Sequence, residues 1–320
     1  MTVTVGTSTT RSATTRPPQL ACAVGPESTA GAVILAHLAS QVQVILDQEG
    51  LVRVFDADAV HNTRVATRHL RSVLATFRQL FDRGVTEPIR AELTWLSRFL
   101  GHARDLDVQR VHLLAAVAAE PGSLVMGPVA AHIDVEMQRE FRTAELELSE
   151  ALDSPRYGAL LNTLGSLLAH PPLTARAGRP ARPTLVRLVG RSWERMRARA
   201  QAQSCPDRGE RDRQLHEVRK AAKGLRYACE AVRPAFGKSA ARLASVAESW
   251  QSILGEHQDS VVARNILRSM GSRMFLDGEN PFTIGRLHAL EQARSVRAEQ
   301  DFCQSWGSGS RPKTRKWLQN

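Results

Sequence analysis

Apolar residues recur at i, i+3, i+4 and i+7 through most of the chain, in segments rich in Ala, Leu, Arg, Glu and Gln. That spacing is the signature of helices with one buried stripe. Pro and Gly interrupt the pattern where helices ought to stop. Helices are predicted at roughly 30–48, 59–81, 88–101, 103–119, 128–152 and 156–169, and again at 184–202, 211–233, 238–254, 257–271 and 283–300. No segment alternates long enough to propose a strand, so the expected fold class is all-α. Residues 1–28 are Thr, Ser, Pro and Gly with little to bury, and are expected to be a disordered leader. The Pro/Arg/Gly stretch 171–183 divides a first helical bundle, 29–170, from a second, 184–302, and 303–320 is expected to be a frayed basic tail with Trp317 isolated among polar residues.

The two halves share blocks of sequence. Val60-His-Asn-Thr-Arg-Val-Ala-Thr-Arg-His-Leu-Arg71 aligns with Leu215-His-Glu-Val-Arg-Lys-Ala-Ala-Lys-Gly-Leu-Arg226. His61 falls on His216, Arg64 on Arg219, Arg68 on Lys223, Leu70 on Leu225 and Arg71 on Arg226, all at one constant offset. At an offset one residue shorter, Leu100-Gly-His-Ala-Arg-Asp105 aligns with Leu254-Gly-Glu-His-Gln-Asp259, and Arg110 with Arg264. Two blocks in the same order and nearly the same spacing indicate a duplicated helical unit. The expected architecture is therefore two antiparallel helical bundles related by a pseudo-twofold axis, each burying its own stripes before pairing with its twin.

Charge narrows the chemistry. Lys+Arg total 43 against 32 Asp+Glu, giving a net charge of +11 and a sequence pI near 10.4. The surplus is mostly Arg, whose planar fork grips phosphate oxygens in pairs. Four cysteines, Cys22, Cys205, Cys229 and Cys303, are scattered without a C-x-x-C pair. They suggest neither a disulfide framework nor a zinc site, and a reducing cytoplasm is the simplest setting. No stretch reaches the roughly eighteen apolar residues of a membrane span, and the N-terminus lacks a signal-peptide core, so neither export nor membrane insertion is expected.

On a helix, His61, Arg64, Arg68 and Arg71 fall within about 80° of one another, and Arg78 joins the same side two turns later. The segment 60–81 contains no Asp or Glu. In the second copy His216, Arg219, Lys223 and Arg226 repeat the stripe, Lys220 widens it, and Glu217 and Glu230 offset part of it. His61 to Arg71 spans about 15 Å, a track rather than a pocket. Unneutralised like charges on a helix face are destabilising, so such tracks call for an anion. The competing reading is an internal salt-bridge network with Asp105, Asp107, Glu256 and Asp259. For His61 and His216 it is capping or packing. Gly101 and Gly255 read as helix stops, Asp105 and Asp259 as acids in the first turn of the following helix, and Trp95 and Trp250 as core residues.

The pattern H-x-x-R-x-x-x-R/K-x-L-R on one helix, followed by L-G-x-x-R/Q-D and repeated twice, resembles the CHAD domain, the conserved histidine α-helical domain. The resemblance covers roughly residues 30–300 and departs from the family where a second Arg often precedes Leu-Arg, here His69 and Gly224. It implies a helical fold of two pseudo-symmetric bundles, inorganic polyphosphate bound by the basic motif helices, and attachment to polyphosphate granules. Two rivals remain. A nucleic-acid module fits the pI, but the stripes lack interleaved aromatics and weak generic binding is the most expected. An enzyme acting on phosphate chains would need a Walker loop, a nucleophile elbow or a carboxylate cluster for Mg²⁺, and none is present. No catalysis, cofactor or metal is expected: one His per half is fixed by the repeat, with His102 and His257 out of register.

Overall fold

The computed structural model describes residues 24–201 and 207–319, so the expectation for the leader falls almost wholly outside the described residues. Among them, all regular structure is helical: α1 (Ala30–Arg53), α2 (Ala57–Thr76), α3 (Arg83–Ala118), α4 (Val129–Asp153), α5 (Pro155–Ala169), α6 (Ala181–Gln201), α7 (Arg208–Ala231), α8 (Arg233–Leu276), α9 (Phe282–Gly309) and α10 (Pro312–Arg315). The motif helices start alike. Asp56 and Asp207 accept from the backbone N–H of Ala59 and Glu210 at 2.8 and 2.7 Å, each satisfying one orphan donor of the first turn.

Several boundaries differ from the expectation, and each has a physical cause. The stretch expected to be helical to residue 81 ends at Thr76, because Phe77, Leu80 and Phe81 all turn into the interior through a short 3-10 turn. Arg78 therefore lies beyond the helix and not on its stripe. Gly101 does not stop a helix: α3 runs through it without a break, between buried Leu100 and Ala103. Gly255 likewise lies inside α8, so Asp105 and Asp259 sit in mid-helix and not in a first turn. The kink in α8 is at Gly237, where φ is 53° and ψ −128°, a backbone that side-chain-bearing residues resist. At the far end α9 extends past the expected residue 300 to Gly309, and the tail beyond it docks. The Trp317 ring sits 4.7 Å from that of Phe236, and Arg315 lies 5.4 Å over Trp193.

The apolar interior is not divided by halves. One large core takes Ile34, Leu38, Leu70 and Leu74 from α1 and α2 together with Leu185, Leu225, Leu243 and Trp250 from α6, α7 and α8. A second, smaller core joins Leu113, Ile133 and Met137 of α3 and α4 to Leu267, Met270 and Ile284 of α8 and α9. Each core draws on both halves of the chain. Helix α1 passes for a membrane span by length and composition alone, a test that a buried core helix also passes. Its Val33, Ile34, Leu38, Val42 and Ile45 are at most 1 % exposed inside the large core, which accounts for that apolarity. Trp250 is fully buried as expected, whereas Trp95 is half-buried at the bundle surface, under the guanidinium of Arg156 at 4.5 Å.

Candidate polyanion-binding site

The two motif helices, α2 and α7, pack against each other, and α3 meets α8 beside them. The two positions where the motif lacks its second Arg both lie at the α2–α7 contact. His69 lies with its ring 3.8 Å from that of Tyr227, and a Cβ on Gly224 would stand 3.9 Å from the Ser72 hydroxyl. Burial pushes the imidazoles of His69 and neighbouring His37 down to about 3 and 4, so both are neutral packing groups.

Along this seam Arg64, Arg68, Arg219 and Lys223 converge. Burial, followed by repulsion from Arg68, Arg219 and Arg64, pushes the Lys223 ammonium down to about 6, with Asp105 opposing weakly. Lys223 is 9 % exposed. Arg68 and Arg219 are held below the ordinary arginine range, burial being the leading cause in each. Arg219 Nε is buried without a hydrogen-bond partner. Among the described residues Arg68, Arg71, Arg219 and Lys223 form no ion pair with a carboxylate, and Asp105 bonds only Arg64, at 2.8 Å. Asp259, itself raised by burial, lies near Arg219 and Asp105. The cluster therefore holds more cations than the protein neutralises.

The glycines of the second motif block explain how these arginines are seated. A Cβ on Gly101 would lie 3.7 Å from Arg64 Nε, and one on Gly255 would lie 3.5 Å from Arg219 Nη2. Each glycine leaves room for the guanidinium of its own half to lie across the neighbouring helix. The remaining repeat match is scaffolding: Arg110 bonds Asp134 at 2.7 Å and Arg264 bonds Asp212 at 2.8 Å, each tying two helices together.

Not every residue expected at the site is free for a ligand. Arg226 is taken by Glu230 at 2.7 Å and Glu248 at 3.0 Å, acids outside the network expected from the sequence, of which the Arg64–Asp105 pair is present. Lys220 and Arg199 share Glu217, each at 2.5 Å. His216 is bonded to Gln258 at 2.7 Å. His61 is exposed, and desolvation followed by repulsion from Arg104 and Arg64 lowers its pKa. Arg71 faces Arg68 and Arg90 and borders a cleft of about 410 Å³ shared with Thr94, Trp95 and Arg98. Arg78 stands beside Arg195 of α6, away from the seam. Of the other expected partners, Asp107 pairs with Arg104 at 2.5 Å.

Residues the sequence reading passed over are Arg90 and Arg104 of α3 and a basic row on α6, Arg187, Arg191, Arg195 and Arg199. The row was readable, since its members recur every four residues. Helix α1, which leads the first half as α6 leads the second, carries no such row, so the comparison of halves does not reveal it.

The profile of the CHAD domain family matches residues 36–268. Two curated Mycobacterium tuberculosis proteins, Rv2226 (strain H37Rv) and MT2285 (strain CDC 1551 / Oshkosh), are each 32 % identical over 285 residues, which is 87 % of this chain and 53 % of theirs. The chain thus spans about half the length of these relatives. Among solved structures, PptA from Streptomyces chartreusis superposes with a TM-score of 0.72 at 24 % identity, covering 88 % of this chain and 100 % of that one. The CHAD domain of the plant Ricinus communis gives 0.69 at 23 %, covering 91 % and 94 %. At such identities the two structures establish a shared fold.

Proposed function

The chain belongs to the CHAD domain family, and from that premise we propose that it binds inorganic polyphosphate along the α2–α7 seam without transforming it. The observation that carries the reading is the convergence of Arg64, Arg68, Arg219 and buried Lys223 with only Asp105 and Asp259 nearby among the described residues; burial first, and then the three arginines, push the Lys223 ammonium down to about 6. Desolvated cations that repel one another are costly unless a bound anion offsets them. A linear anion with one charge or more per phosphate answers a row of cations better than a single compact phosphate does. Arg supplies paired N–H donors to successive phosphate oxygens, and each charge-assisted bond contributes about 1.5–3 kcal/mol before desolvation and ordering are subtracted. Arg71 and His61 flank the seam and extend the positive field, while Arg90 and Arg104 beside them are paired with Glu87 and Asp107.

The reading includes no hydrolysis or phosphoryl transfer, and it places the protein in the cytoplasm, at polyphosphate granules where these exist. Weak binding of nucleic acid as a generic polyanion is compatible with it. The test is calorimetric titration with polyphosphates of graded length at two salt concentrations. Affinity should climb with length, level off, and fall steeply with salt, as counterion release requires. Arg64→Ala, Arg68→Ala, Arg219→Ala and Lys223→Ala combined should weaken binding by at least a hundredfold. Unchanged affinity in that variant, a preference for DNA over long polyphosphate at physiological salt, or phosphate release above background with Mg²⁺ would each overturn the proposal.

A further inference from the structure

A second concentration of unneutralised arginines lies away from the seam, where the linker between the halves meets the start of α6. Here Arg176 and Arg179 of the linker and Arg187 and Arg191 of α6 surround a cavity of about 340 Å³, with Gln79 and Thr184 completing its polar wall. That volume lies at the lower end of ligand-binding clefts, about 300–1,000 Å³. Among the described residues none of the four arginines forms an ion pair with a carboxylate, although pairs such as Arg53–Asp153, Arg156–Glu92 and Arg264–Asp212 occur elsewhere. The guanidinium of Arg176 donates only to the neutral amide oxygen of Gln79.

The rim of this cavity is fixed by backbone bonds, so the arginines do not rest on a loose loop. On one side the Thr174 N–H donates to the Leu80 carbonyl at 3.0 Å, its hydroxyl donates to the Gln79 carbonyl at 2.9 Å, and the Asp82 N–H donates to the Pro172 carbonyl at 2.7 Å. On the other, the Ala30 N–H donates to the Arg179 carbonyl at 2.9 Å and the Ala181 N–H to the Ser28 carbonyl at 3.0 Å. A linker pinned along both edges presents its cations in one arrangement, which lowers the ordering cost of binding.

The cavity is also connected to the motif helices. Arg187, Arg191, Arg195 and Arg199 follow one another a turn apart on α6, a span of about 18 Å. Arg78 stands beside Arg195, and at the far end Arg199 shares Glu217 with Lys220 of α7. The row leads from the cavity to the margin of the seam.

We propose that the linker cavity is a second phosphate seat, occupied by the outlying segment of a polyphosphate chain whose central segment lies in the α2–α7 seam. The inference rests on the reading of the seam given above. It predicts that the cavity contributes only to ligands long enough to reach both places, because linking two sites by one ligand raises affinity through effective concentration.

The experiment titrates the full chain with tripolyphosphate and with polyphosphate of roughly a hundred units, and the second seat should be worth about tenfold in affinity for the longer ligand. Arg187→Ala/Arg191→Ala should show that tenfold loss for the long chain and no change for tripolyphosphate, while Arg187→Lys/Arg191→Lys recovers most of it. Both side chains are exposed, so the fold should survive. A thermal melt checks this, and Arg187→Gln/Arg191→Gln repeats the test should the alanine pair melt early. Long-chain affinity equal to the wild type, or an equal loss for both ligands, would overturn the second seat. Should the quadruple seam variant bind the long chain normally while the cavity variant does not, the seam reading fails and the cavity becomes the principal site.

Discussion

Lys223 offers the sharpest test of the site, because the proposed binding should change its protonation state. In the free protein its pKa is pushed down to about 6, by burial first and then by Arg68, Arg219 and Arg64. At pH 8, two units higher, only about 1 % of the protein then carries the charge. A polyphosphate laid against the cluster would offset the arginine repulsion and set a counter-charge against the burial penalty, raising the ammonium's pKa above its free-state value. The bound-state pKa then exceeds the free-state pKa, so protons favour binding and affinity should rise as pH falls from about 9 to 6, levelling off below. The slope should approach tenfold per pH unit, about 1.4 kcal/mol. His61 titrates below its ordinary value of about 6.5 and adds little at pH 8. Calorimetry in two buffers of different ionisation enthalpy at pH 8 measures the proton directly, and uptake should be close to one per site. Lys223→Arg, charged throughout this range, should bind well with no uptake. Lys223→Met should lose uptake and affinity together, yet raise the Tm of the free protein by several degrees, since the desolvated amine is removed. No uptake in the wild type, with affinity flat from pH 6 to 9, would refute the account of the cluster.

Three other outcomes follow from the geometry. Gly255→Ala places a methyl at ordinary contact distance from Arg219, so binding should stay within about threefold while the helix gains up to about 1 kcal/mol of propensity in a melt. Gly255→Leu should displace the guanidinium and cost at least tenfold in affinity. Arg226→Ala should change polyphosphate affinity by less than about threefold, since Glu230 and Glu248 already hold that side chain, whereas Arg68→Ala should cost tenfold or more by the same titration. Asp105→Asn frees Arg64 from its intramolecular partner, so affinity should rise by a few fold while the unliganded protein melts earlier.

The helical class and the motif helices were legible because a 3.6-residue period and a duplicated cation spacing survive in a single sequence. Arg64, Arg68, Arg219 and Lys223 could be named from that spacing alone. What stayed hidden depends on neighbours distant in sequence. Gly101 and Gly255 look like punctuation until Arg64 and Arg219 are seen lying across them. Arg226 matches Arg71 in the alignment, but Glu248 on another helix removes it from service, and Ala75 stands where an equivalent of Glu230 would be. The turn that carries Arg78 away from its helix is set by three apolar side chains seeking the interior, a preference that no count of charges reveals.

Because each apolar interior is assembled from both halves, cutting the chain within 171–183 would yield two fragments with large greasy faces and no independent stability. Expressed separately they should aggregate; produced together they should complement one another and restore a single cooperative transition. The two motif helices are thus presented by a unit that stands or falls as a whole.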